Sequence, residues 1–331
     1  QVKIMTTYKE IRGTNIEVVS SDPSNPVAGQ VWYNSTDNVL KGSAGALTFA
    51  WATKNAINTA RYGLRGAGTA ASTIVFGGEP PKTGKTESYN GTNWTEVNDM
   101  NETRKNFGGA GTSTSAMACG DETLTANTET WNGTNWTEVN NLNTDRRRNT
   151  AAFGAGNTSG ITFGGFSPAP GPSGSNIIIT EQWNGTNWTE VNDMNTGRVL
   201  MAGTGIVTAA LAIGGEEPRT AKTESWNGTN WTEVNDTNTA RQGGAASNLS
   251  ATAALYFGGE TPPGSALTES WNGTNWTETS DLSVPRREGA GSGASNTTAL
   301  AIAGIVGASP DVGNQTEEFS SSGGTVTFTD S

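Results

Sequence analysis

Six arginines recur at one place in a repeating pattern: Arg61, Arg104, Arg146, Arg198, Arg241 and Arg286. Six glutamates, Glu87, Glu129, Glu181, Glu224, Glu269 and Glu317, answer them one for one and in register. Guanidinium and carboxylate in such a register predict a ring of ion pairs that ties each repeat to a neighbour, the guanidinium also bonding loop carbonyls. A ring that holds an anionic ligand is the sharper alternative, weakened by the glutamate that accompanies every arginine. Two acids suffice for a glycosidase, but these glutamates repeat along the chain as structural residues do, whereas an active site occurs once. The chain has no histidine and a single cysteine, Cys119. A Ser-His-Asp arrangement is therefore ruled out, zinc sites of the Cys/His kind fail, and no disulfide forms within the chain. Asp99, Asp193, Asp236 and Asp281 recur, each after Asn or Ser. An acid in that position is expected to cap a turn, with calcium as the alternative use of its oxygens. No catalytic residue, cofactor or metal ligand is assigned, and the expectation is a non-enzymatic protein.

The elements that carry these residues follow from the repeat. Asn-Gly-Thr-Asn-Trp-Thr-Glu begins at Asn90, Asn132, Asn184, Asn227 and Asn272, spaced by 42, 52, 43 and 45 residues. Such a period marks propellers and other repeat arrays. Asn-Gly between aromatic and β-branched residues predicts a tight hairpin, one strand ending before it and the next beginning after it. Trp94, Trp136, Trp188, Trp231 and Trp276 are each followed ten residues later by a ring arginine, and Trp51 stands in the same relation to Arg61. A Gly/Ala-rich run and a short apolar strand come next, at Ile74–Gly78, Ala116–Gly120, Ile161–Gly165, Ala209–Gly215, Ala253–Gly259 and Ala299–Gly304. The count is thus six repeats, the last with Thr316-Glu317-Glu318-Phe319 where others have Thr-Glu-x-Trp. In the second repeat the strands are expected near Gly108–Thr112, Ala116–Cys119, Thr128–Trp131 and Trp136–Val139. Cys119 aligns with the first glycine of the Gly-Gly pair elsewhere and reads as a small buried residue.

Antiparallel four-stranded units repeated in this way predict an all-β chain, a six-bladed β-propeller with an N-terminal strand and hairpin extension. Residues 1–45 form an attachment or rim segment, with a hairpin over Gln30–Lys41 after a turn-rich linker at Ser20–Pro26. Residues 46–331 form the propeller, closed by its N- and C-terminal strands. Leu47–Trp51 is expected to complete the sixth blade, with Thr325–Phe328 as the competing strand. Trp side chains of strands three and four should pack between sheets, and small residues of strand one should crowd the axis.

The chain of 331 residues is 33% hydrophobic with a net charge of −11. That acidity disfavours nucleic acid, whose phosphates demand a basic surface, and an anionic membrane. No apolar run is long enough to span a bilayer, and residues 1–20 lack the apolar stretch of a signal peptide. The chain starts at Gln1, which points to processing or an incomplete N-terminus. Asn-x-Thr occurs twice in each hairpin, and the turn accounts for it better than a glycosylation sequon does.

Gly77-Gly78, Tyr89, Trp94 and Arg104, and likewise Gly214-Gly215, Trp226, Trp231 and Arg241, resemble the kelch repeat over residues 46–320. Kelch-type copper oxidases hold their metal with His and Tyr, a site this chain cannot build. Ser88–Trp94 is only faintly similar to the Asp-box of sialidases. The near-verbatim Trp-Asn-Gly-Thr-Asn-Trp-Thr-Glu units, preceded by Asn25–Thr36, are similar to kelch-like proteins of marine tailed phages. The resemblance implies a bacteriophage virion protein, in a tail fibre or as capsid or tail decoration, assembled in the host cytoplasm. Its partners would be other virion proteins and a host surface glycan or protein, and it would form a homo-oligomer if it follows the symmetry common in virions. The alternatives are a cellular adhesin or protein-interaction scaffold and, more remotely, a glycan-active enzyme. Binding is expected on the variable loops between strands two and three, with Phe166, Ser167, Pro168, Pro170, Glu216, Glu217 and Glu260 as contact candidates.

Overall fold

A computed structural model describes residues 16–23, 30–43, 48–152, 156–168, 175–216, 218–261, 264–307, 311–322 and 325–328. The described residues are all-β, and the chain divides into two compact units. One holds Gln1–Ala50 and Ser321–Ser331, the other Trp51–Ser320.

In the larger unit, six sheets of four or five strands are seen among the described residues, with a seventh, two-stranded sheet that pairs Phe166–Ser167 with Ser175–Asn176. Sheet I is Arg65–Thr69, Ser72–Phe76, Thr86–Tyr89 and Trp94–Val97; sheet II is Gly108–Thr112, Ser115–Cys119, Thr128–Trp131 and Trp136–Val139. Sheet III is Thr150–Ala152, Gly160–Phe163, Thr180–Trp183 and Trp188–Val191; sheet IV is Ala202–Ile206, Ala209–Ile213, Thr223–Trp226 and Trp231–Val234. Sheet V is Ala245–Ala246, Ala254–Phe257, Thr268–Trp271 and Trp276–Glu278. Each of these is an antiparallel four-stranded sheet with its strands in chain order. In sheet VI, Arg286–Arg287 and Ala290–Ser295 both pair with Thr298–Val306, followed by Val312–Ser322 and then Thr48–Lys54. The outer place in sheet VI thus belongs to Thr48–Lys54, while Leu47 lies outside the described residues. Thr325–Phe328 pairs instead with Val39–Ser43, so the C-terminal strand does not belong with 46–320 as the sequence suggested.

The reason for this layering is visible in the burial of each strand. Second strands such as Ser72–Phe76 are covered on both faces beyond their first residue, whereas fourth strands bury their leading Trp and expose the Thr-Glu that follows. The first strands neighbour one another in the order I to VI, and that of sheet VI lies against that of sheet I. Their closest approaches admit no side chain: a Cβ added to Gly66 would sit 2.5 Å from the Gly291 carbonyl oxygen. Between sheets lie apolar clusters. One joins Ile74 and Phe76 of sheet I to Ala116, Trp131 and Trp136 of sheet II, and another joins Ile161 and Phe163 to Trp226 and Trp231. Strand-three and strand-four indoles within a sheet lie 5.2–5.6 Å apart, tilted as aromatic pairs prefer. Between sheets V and VI, Trp51 contacts Phe257 at 4.9 Å and Phe319 at 5.3 Å.

Four of the six strand-four indoles also donate across to the preceding sheet. Trp136, Trp188 and Trp231 bond the hydroxyls of Thr86, Thr128 and Thr180 at 3.0, 3.3 and 3.0 Å, and Trp51 bonds Thr268 at 3.0 Å. Trp276 has no such bond: its Nε1 and Thr223 Oγ1 are both buried without a partner. In the hairpins, Asn132 Oδ1 accepts from the N–H of Thr134 and of Asn135, both at 2.9 Å, and only Gly133 takes a positive φ.

The Gly-Gly positions lie just past the second strand with positive φ, as at Gly214 and Gly215. This corrects the alignment of Cys119. Cys119 pairs with Thr128 as Phe76 pairs with Thr86, inside the strand. The loop carbonyl that Arg104 bonds is that of Gly120, as Arg61 bonds that of Gly77. Gly120-Asp121 therefore takes the glycine-pair place, and the thiol is fully buried.

The smaller unit has one described sheet, Glu17–Val19, Val31–Asn34, Val39–Ser43 and Thr325–Phe328, its first pair parallel and the rest antiparallel. The expected hairpin is its second and third strands; 24–29 of the expected linker lie outside the described residues. Asp22 accepts from the Trp32 indole at 3.1 Å, Asn34 Nδ2 at 2.8 Å and Lys41 Nζ at 2.8 Å. Those donors, Lys41 foremost, draw its carboxyl down to about 2.

Candidate binding face and axial mouth

Every ring arginine meets its glutamate. The N···O distances are 2.7 Å for Arg61–Glu87, 3.2 Å for Arg104–Glu129 and 2.5 Å for Arg146–Glu181. They are 2.9 Å for Arg198–Glu224, 2.8 Å for Arg241–Glu269 and 2.5 Å for Arg286–Glu317. No side chain in these pairs is more than 3% exposed, so the pairs are not open to a ligand. Five of the arginines come from the linker after one sheet and pair with a glutamate on the third strand of the next, while Arg286 lies on the short leading strand of sheet VI, the sheet that also carries Glu317. Arg198 shows the rest of the pattern, with Nη1 donating to the Gly214 and Lys222 carbonyls at 2.6 and 2.8 Å. The other oxygen of Glu224 accepts from Asn195 N and Nδ2 at 2.7 and 2.9 Å. Burial pushes the Arg198 guanidinium below its ordinary value, and the charge of Glu224 opposes the shift. Such dense hydrogen bonding is what makes a buried pair tolerable.

The recurrent aspartates have a similarly local use. Asp99, Asp193, Asp236 and Asp281 accept the backbone N–H of Thr86, Thr180, Thr223 and Thr268, at 3.0–3.3 Å. Among the described residues, no group of three or more His, Cys, Asp or Glu is placed to hold a metal. The asparagines beside them link neighbouring hairpins: Asn98 Nδ2 donates to the Thr134 carbonyl at 3.0 Å and to Asn135 Oδ1 at 2.8 Å.

On the opposite side run the loops between strands two and three and the linkers between sheets. Phe166, Glu216 and Glu260 sit at the bases of their loops, bridged to Arg147, Val199 and Gln242 of the linkers. The Arg147 guanidinium lies 4.5 Å from the Phe166 ring centroid, and Gln242 Nε2 donates to Glu260 at 2.9 Å. Ser167 is buried and Pro168 exposed. Pro170 and Glu217 lie outside the described residues. Charges weave the linkers together nearby, with Lys105 bonded to Glu79, Lys82 to Asp121, and Arg147 and Arg148 to Glu122.

Around the axis the linkers add a feature beyond the small strand-one residues expected there. Two residues after each ring arginine stand Gly63, Asn106, Arg148, Leu200, Gly243 and Glu288, and all six have φ between 50° and 66°. Their main chains form a closed belt. Gly63 N donates to Glu288 O at 2.8 Å, Asn106 N to Gly63 O at 2.8 Å, and Arg148 N to Asn106 O at 2.7 Å. Leu200 N then donates to Arg148 O at 3.2 Å, Gly243 N to Leu200 O at 2.9 Å, and Glu288 N to Gly243 O at 2.7 Å. The left-handed conformation is strained for Arg, Leu and Glu, and the belt offsets it. Below the belt opens a cavity of about 50 Å³, lined by residues of all six sheets including Arg65, Thr150, Asn248 and Gly291.

The chain matches no protein-family model and no curated protein.

The loop face therefore combines anchored loop bases, a charged linker network and an axial mouth, while the hairpin face repeats one arrangement of Asn and Thr. Chemically, the loop face offers recognition through shape, charge and hydrogen bonding. A signal for the belt was present in the sequence, since Gly63, Asn106 and Gly243 favour positive φ at a fixed distance from an arginine.

Proposed function

We propose that Trp51–Ser320 is a six-bladed kelch-like β-propeller and that the chain is a non-enzymatic component of a tailed-phage virion. Its place would be in a tail fibre or as capsid or tail decoration, contacting a host surface glycan or protein or a neighbouring virion protein. The observation that carries the display role is the division between faces. Near-identical hairpins occupy one face, and loops that differ in every repeat occupy the other, held by buried ion pairs and the axial belt. Variable loops on an invariant, over-determined scaffold are how binding surfaces are built. The virion assignment rests on the likeness of the Trp-Asn-Gly-Thr-Asn-Trp-Thr-Glu units to phage kelch-like proteins. Cryo-electron microscopy of purified particles tests it, with density for this chain expected on a fibre or capsid face. Particles lacking the chain, with the protein found on cell envelopes, would refute the virion role and leave the cellular adhesin or scaffold.

A further inference from the structure

Arg65 breaks the symmetry of the axial mouth. Its counterparts, four residues after the other ring arginines, are Gly108, Thr150, Ala202, Ala245 and Ala290. The Arg65 side chain runs over sheet II, where a Cβ on Gly109 would stand 3.0 Å from Arg65 Cβ. Its guanidinium lies 5.7 Å from the Phe107 ring centroid and donates to the Leu64 carbonyl at 3.0 Å and the Asn149 carbonyl at 3.4 Å. A guanidinium carries five N–H donors, and among the described residues two of those of Arg65 are used and three are left. Unlike the six ring arginines, Arg65 makes no ion pair among the described residues. Burial pushes it down to about 10, with the charge of Glu288 acting against that shift. Glu288 is itself pushed up by burial, with Asn106, Arg148, Arg287 and Arg65 opposing. An otherwise acidic protein thus keeps a cation beside a cavity lined by glycines, alanines, Leu200, Met201, Asn106, Thr150 and Asn248, with Glu288 as its one carboxylate among the described residues.

We propose that the axial mouth binds one small carboxylate, seated on the unused N–H groups of Arg65. The planar fork of a guanidinium matches a carboxylate in two parallel hydrogen bonds, and the cavity has room for a group of that size. A phosphate would bring more negative charge against Glu288, which favours the singly charged group. The carboxylate belongs either to a free organic acid or to a uronic acid unit of a glycan. This site does not depend on the virion assignment.

The test is calorimetric titration of the full chain with acetate, D-glucuronate and a glucuronate-containing oligosaccharide, with D-glucose as the neutral control. Arg65→Ala places in sheet I the residue that sheets IV, V and VI already carry, so the fold should melt as before. It should weaken carboxylate binding by about tenfold or more, the loss expected for a charge-assisted pair. Glu288→Gln should tighten it. Acetate binding as well as glucuronate supports a free-acid source, and binding confined to the oligosaccharide supports the glycan. Absence of binding by all three carboxylates, or equal binding by Arg65→Ala and the native chain, overturns the site.

Discussion

Replacing Arg198 by methionine isolates the worth of one ring pair, because the stem is kept and only the guanidinium is lost. Glu224, fully buried, would be left as an unpaired carboxylate whose remaining donors come from Asn195. The carbonyls of Gly214 and Lys222 would lose the donor that now lies 2.6 and 2.8 Å away. Breaking a buried pair from one side costs about 3–5 kcal/mol, and an orphaned buried acceptor adds about 1–3 kcal/mol. These losses overlap, so about 4 kcal/mol is expected, or a fall in Tm of about 8–16 °C for a unit of this size. Adding Glu224→Gln removes the stranded charge while its amide oxygen still accepts from Asn195. The double variant should therefore melt above Arg198→Met alone. Differential scanning calorimetry on the set, repeated with Arg241→Met and Glu269→Gln as an internal replicate, measures this. A Tm within about 2 °C of the native chain, or a double variant less stable than Arg198→Met, would show that the pairs do not carry the energy assigned to them.

Two further perturbations test separate parts of the argument. The Cys119 thiol is buried, and burial drives it up to about 11, so it should resist iodoacetamide at pH 8 and react only as the chain unfolds. Alkylation followed by mass spectrometry reads this, and rapid labelling of the folded chain would contradict the placement of Cys119 inside the strand. At Gly243, where φ is +61° and space is open apart from Glu288, the belt predicts a ranking. Gly243→Asn should cost little and Gly243→Val about 1–3 kcal/mol, read by urea denaturation; equal costs would argue against the left-handed belt.

Much of the fold was legible because the repeat supplies its own alignment. The strands expected in the second repeat match those observed at Gly108–Thr112, Thr128–Trp131 and Trp136–Val139, and the second strand begins one residue early at Ser115. In each Thr-Glu-x-Trp strand the Glu and Trp, two residues apart, share a face, and the one-for-one recurrence of arginine and glutamate sets the Arg–Glu register. What escaped notice depends on three-dimensional closure. Arg148, Leu200 and Glu288 have no preference for positive φ, so nothing local marks them as links in the belt. Cys119 was misplaced because a Cys-Gly pair looks like a damaged Gly-Gly pair. The distance from Arg104 to Gly120 equals that from Arg61 to Gly77 and would have corrected it. Phe166, Glu216 and Glu260 read as loop residues by sequence, yet main-chain bridges fix them at the loop bases. Arg65 carries no mark in the repeat pattern, and its place at the axis shows only where its small counterparts come together around it.

The axial belt has a bearing on how such a gene can change. Near-identical repeat units in DNA invite unequal exchange, which gains or loses a whole unit at a stroke. A flat ladder of sheets would absorb that change at its end. A cycle of main-chain hydrogen bonds has no end: a unit inserted between Arg148 and Leu200 must pry open the link between them and find geometry for a wider circle. Copy number is thereby guarded by the backbone itself, while the side chains at the same six positions vary within what a left-handed main chain tolerates.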